Sequence, residues 1–107
     1  MDEANVEEFK TLLPLIEAVH DDFKELTRKN QNVPLSPTKI QMVNRLLARV
    51  KELLREEPSG AFLDLLNEDV IPQNSDALLI LGQHKAALHR YRERWAQYSD
   101  ISQSWVW

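Results

Sequence analysis

Three stretches of this chain repeat their apolar residues at intervals of three and four. Phe9, Leu12, Leu13, Ile16, Val19, Phe23 and Leu26 form the first series, and Ile40, Val43, Leu46, Leu47, Val50, Leu53 and Leu54 the second. Ala77, Leu81, His84, Leu88, Tyr91, Trp95 and Tyr98 form the third. A helix turns by about 100° per residue, so this spacing gathers each series onto one face that needs a partner element to cover it. The pattern predicts an all-α fold in which the three faces cover one another.

The first helix is expected over about residues 2–29. Pro14 cannot donate the backbone bond to Lys10 and crowds that turn, so a kink, or a split into pieces near 3–12 and 14–29, is expected there. Residues 30–35, NQNVPL, read as a linker. Ser36 then suits an N-cap, and Pro37 suits the first helical position, where a missing N–H costs nothing. Arg49 with Glu52, and Glu52 with Arg55, fall at supporting intervals along that second helix. Pro58 and Gly60 end it. AFLDLLNEDV, residues 61–70, reads as a short helix whose Phe62, Leu65 and Leu66 cap the bundle. After the break at Pro72, Asn74 or Ser75 can cap a last helix reaching about Tyr98. The expected architecture is a small antiparallel helical bundle of three long helices plus one short helix. It forms a single domain over 1–98, with an apolar tail over 99–107.

Composition agrees. Two glycines in 107 residues, Gly60 and Gly82, are too few for a fold built on tight turns. The absence of cysteine removes disulfides, thiolate metal sites and cysteine nucleophiles. The acidic start, MDEANVEEF, lacks the apolar run of a secretory signal, and no stretch approaches the roughly 20 apolar residues of a membrane span. A cytoplasmic location is the expectation.

The net charge of −4 is segregated. Residues 1–25 and 59–83 are acidic, whereas 26–58 and 84–107 are basic. Alternating blocks suit helices with complementary flanks, and they also suit self-association.

The densest candidate site is HKAALHRYRERW, residues 84–95. On a helical wheel its aromatic residues join the buried seam, while the cations divide. Lys85, His89 and Arg92 take one flank, and Arg90 and Arg94 the other. A nucleic-acid-binding helix gathers its cations on one exposed face instead. His84 and His89, five apart, point in directions roughly 140° apart and do not match the four-residue spacing of zinc helices. Asp64, Asn67, Glu68 and Asp69 lack the glycine and the twelfth-position glutamate of a calcium loop. No nucleophile elbow or phosphate-cradling glycine loop is present. Neither a metal nor a cofactor is expected.

LGQHKAALHRY, residues 81–91, is similar to the turn and second-helix start of a tetratricopeptide repeat, through Gly82 and the Ala87–Leu88 pair. The match spans eleven residues, Pro72 falls where the repeat's first helix would run, and no second copy follows. It assigns no family to the chain.

The tail DISQSWVW places Trp105 and Trp107 around Val106, and tryptophan is enriched where proteins bind one another. The functional expectation is a non-enzymatic module that binds another protein or a second copy of itself. It would act through Arg90, Arg94, Trp105, Val106 and Trp107. The alternative is nucleic-acid binding through Arg45, Arg49, Lys85, His89 and Arg92.

Overall fold

The computed structural model describes residues 3–30 and 32–102, with side chains through Trp95. The described residues form three α-helices: α1 (Glu3–Lys29), α2 (Pro37–Leu53) and α3 (Asn74–Ser102). Their inward faces share one core that includes Phe9, Ile16, Val43, Leu47, Leu81 and Leu88. The all-α bundle expected from the apolar spacing is the fold observed.

Helix α1 is continuous through Pro14. The proline is solvent-exposed, on the side of the helix away from the core. There the carbonyl it leaves without a helical partner can turn to water, and the ring meets no neighbouring element. Helix α2 begins as its sequence dictates. The Ser36 hydroxyl accepts a 3.2 Å hydrogen bond from the Lys39 amide, and Pro37 occupies the first turn. Arg55 pairs with Glu52 as its spacing predicts. Arg49 instead reaches Glu8 of α1, its guanidinium donating at 2.7 and 2.9 Å.

The helices do not all alternate in direction. Asn74, at the start of α3, donates its amide to the Val33 carbonyl at 3.0 Å and its side chain to the Asn30 carbonyl at 3.2 Å. At the other pole Phe9 of α1 packs against Tyr91 of α3, with ring centroids 5.7 Å apart and the rings tilted by 46°. So α1 runs antiparallel to both neighbours, while α2 and α3 run the same way. A parallel pair needs a connection as long as the helices, and residues 54–73 provide it by returning along the α2–α3 seam.

That return segment is not the short helix expected from AFLDLLNEDV. It contains two 3₁₀ turns, Pro58–Phe62 and Glu68–Val70, with extended chain between them. In extended chain the inward positions change: Leu63 and Leu66 are buried, whereas Phe62 and Leu65 are 77% and 41% exposed. The side chain of Asn44 holds the strand-like stretch by taking both backbone groups of Leu66. The segment closes against the α1–α2 loop, where the Leu35 amide donates to the Pro72 carbonyl at 2.8 Å. Ile71 makes the turn into that contact in the left-handed region (φ 47°, ψ 78°), which β-branched residues rarely adopt.

Helix α3 buries Ala77, Leu81, His84, Leu88 and Tyr91, the seam read from the sequence. Gly82 lies within this helix, at no turn. The helix continues four residues past Tyr98 to Ser102, so residues 99–102 extend α3 and do not begin a tail.

Candidate functional site

Each pair of helices leaves a seam, and the three seams are covered differently. The return segment fills the one between α2 and α3. Along the α1–α3 seam the helices close directly, with His20 of α1 beside Gly82. The α1–α2 seam stays open as a groove of about 460 Å³.

Sequence spacing builds this groove. Leu15, Val19, Asp22 and Leu26 recur at four, three and four along α1, one flank away from its core stripe. Lys39, Met42 and Leu46 do the same on α2 at three and four. Phe23 and Val43 form the buried floor, with Val19 and Leu46 half-buried above them. Met42, Leu15 and Leu26 remain 55%, 45% and 37% exposed at the lip. Scattered exposed apolar residues are ordinary on a soluble protein, but a concave run with a methionine at its centre is the surface on which proteins seat partner helices.

The two walls differ in charge. Asp22 stands on the α1 wall, and Lys39 and Arg45 on the α2 wall. Among the described residues, the side chains of Lys39 and Arg45 make no ion pair or hydrogen bond. Asp22 lies seven residues before the end of α1, and Arg45 eight after the start of α2.

The residues singled out in the sequence are distributed as follows. Arg94 is held internally: one guanidinium nitrogen lies 3.1 Å from both carboxylate oxygens of Glu57, whose side chain is 11% exposed. It thereby ties α3 to the beginning of the return segment. Arg90 is exposed and lies 3.6 Å from Glu93, one turn along its own helix. Trp105, Val106 and Trp107 lie outside the described residues. Arg45 and Arg49 border the α1–α2 seam. Lys85, His89 and Arg92 follow Gly82 at three, four and three, which places them along the α1–α3 seam. The two basic sets therefore flank α1 on opposite sides and do not form one surface.

Leu15 and Met42, at the centre of the groove, belong to neither apolar series of the sequence. Their signal is the widening of the two stripes beyond what a core face needs. Periodicity alone does not say which flank a neighbour will cover.

His84 belongs to the buried seam of α3. His84 is fully buried, with Nδ1 3.0 Å from the Ile80 carbonyl oxygen one turn back, while Nε2 has no hydrogen-bond partner among the described residues. Burial pushes its pKa below the ordinary histidine value and Lys51 adds to this, against the carbonyls of Ile80 and Leu47 and the charge of Asp64. Among the described residues no three His, Asp or Glu side chains converge on a point that could hold a metal ion. No described helix is long and apolar enough to cross a membrane.

No family model matches this sequence, and comparison with curated proteins and with solved structures finds no similar chain.

Proposed function

We propose that this protein is a non-enzymatic interaction module that seats a helix of another polypeptide in the α1–α2 groove. The observation that carries the reading is the open apolar seam with Leu15, Leu26 and Met42 at its lip. An apolar stripe three turns long matches the i, i+4, i+7 contacts by which amphipathic helices dock. The expected binding through Arg90 and Arg94 is narrowed by the Glu57–Arg94 pair, because Arg94 already has a task within the fold. The apolar sequence after Ser102 stays a second candidate contact, and truncation there tests it without cutting into α3. The opposite placement of the two basic sets weighs against a continuous phosphate-binding face.

A photo-crosslinking amino acid placed at Met42 in living cells tests the groove. It is expected to capture a polypeptide, whereas the same group at the exposed Lys24, on the other flank of α1, captures none. Absence of any protein adduct specific to position 42 would overturn the reading.

A further inference from the structure

We infer that the cleft between the return segment and the start of α3 is a second docking surface, whose occupant is a basic amphipathic helix of another protein. The inference is independent of the α1–α2 groove. Where the return segment lies on α3 it leaves a cleft of about 450 Å³. Buried Leu66 and half-buried Ile80 form its floor, and Leu65, Val70 and Leu79 its lip. Val70 and Leu79 are each 70% exposed, more than any residue at the lip of the groove. The same turns of α3 seal the core with Ala77 and Leu81, so Leu79 has no part in closing it. An apolar concavity this open marks a surface on which another molecule seats.

Charge selects the partner. Residues 59–83 contain four acids and no base, and Asp64 and Asp76 line the cleft with no lysine or arginine in its walls. The Gln83 side chain donates to Asp64 at 3.1 Å, and the Gln73 amide to Asp76 at 2.7 Å. These bonds orient the carboxylates and leave their charge uncompensated, since neither forms an ion pair among the described residues. Asp76, Leu79, Ile80 and Gln83 share one face of α3. Asp76 and Gln83, which holds Asp64, are about 10 Å apart along the helix, with Leu79 between them. A partner helix with lysine or arginine at positions seven apart, and apolar residues between, repeats that interval. Its cations meet the two carboxylates while its apolar residues close over Leu65, Val70 and Leu79. The same acids repel a nucleic acid or an anionic membrane.

The probe is a synthetic helical peptide with two arginines seven residues apart and two leucines between them, titrated against the full chain by fluorescence anisotropy at low salt. Saturable binding that weakens as salt rises is expected, and the same peptide with glutamates in place of the arginines should not bind. Asp64→Asn and Asp76→Asn keep a hydrogen-bond acceptor and remove the charge, so each should weaken binding about two- to fivefold. Leu79→Lys sets a cation in the cleft and should weaken it about tenfold or more. Met42→Lys, in the α1–α2 groove, should leave it unchanged. Circular dichroism of each variant establishes that it is folded. The proposal is overturned by a lack of saturable binding, by equal binding of the glutamate peptide, or by binding that survives Leu79→Lys. Dimerisation of the chain, or its association with neutral phosphatidylcholine vesicles, that Leu79→Lys abolishes would give the cleft to a second copy or to a membrane and overturn it as well. The crosslinking result at position 42 bears on the groove alone.

Discussion

The side-chain amide of Asn44 and the backbone of Leu66 exchange two hydrogen bonds. The amide donates to the Leu66 carbonyl at 2.9 Å and accepts from the Leu66 N–H at 2.8 Å. One side chain on α2 thus imitates a strand and fastens the middle of the return segment to the bundle. Asn44→Ala leaves both backbone groups of a buried residue without a protein partner, a loss of about 2–3 kcal/mol. Urea unfolding should report that loss, and hydrogen exchange at the Leu66 amide should accelerate more than at amides of α1.

The two glycines should respond oppositely to alanine. A Cβ at Gly60 would lie 2.1 Å from the Leu54 carbonyl oxygen, a backbone atom that cannot yield without moving the end of α2. Gly60→Ala should cost about 2 kcal/mol or more, as overpacking does elsewhere. At Gly82 the nearest atom to such a Cβ is His20 Nε2 at 3.8 Å, an ordinary contact. There alanine gains helix propensity, and Gly82→Ala should stabilise by about 0.5–1 kcal/mol. Thermal melts of the two variants should move to opposite sides of the parent.

Ile71 is 65% exposed in a left-handed conformation, so its side chain contributes little burial while its backbone carries strain. Ile71→Gly removes that strain at the cost of some chain entropy. The expected balance is a gain of about 0.5–1 kcal/mol, seen as a rise of a few degrees in Tm. A fall in Tm would show that the isoleucine side chain matters to the turn.

Burial lowers the pKa of His84 in the folded chain below 6.5, its ordinary value in the unfolded chain. The unfolded state therefore binds a proton first as pH falls. This group's contribution to stability is fully present above the ordinary histidine pKa and declines as pH drops below it. His84→Leu removes the buried ring, including the Nε2 that has no hydrogen-bond partner among the described residues. Its Tm should change less than the parent's between neutral and mildly acidic pH, measured in parallel melts. Equal slopes would place the acid sensitivity elsewhere.

Local rules made much of this fold readable. Ser36 and Pro37 announced a helix start because a cap depends on residues only three apart. The seam of α3 followed from its spacing. AFLDLLNEDV was not readable in this way, because its helical pattern competes with a hydrogen-bonding partner, Asn44, lying 22 residues away. Nor was the role of Arg94, whose carboxylate partner is 37 residues distant and which looks, along the sequence, like any cation beside a seam. The groove was hidden for a related reason. Leu26, Val19 and Leu46 read as core in one dimension, and only the course of the return segment decides which seam is closed and which is left open.

The reversal that makes α2 and α3 run alike also sends Glu3, at the start of α1, and Ser102, at the end of α3, to the same pole, while Leu26 and Lys39 stand near the other. A tether joined at either end of the described chain would leave from beneath the molecule, with the groove at the far end unobstructed. Geometry of this kind allows the domain to be carried on a longer polypeptide, or fixed to a surface by one pole, while it presents Met42 outward.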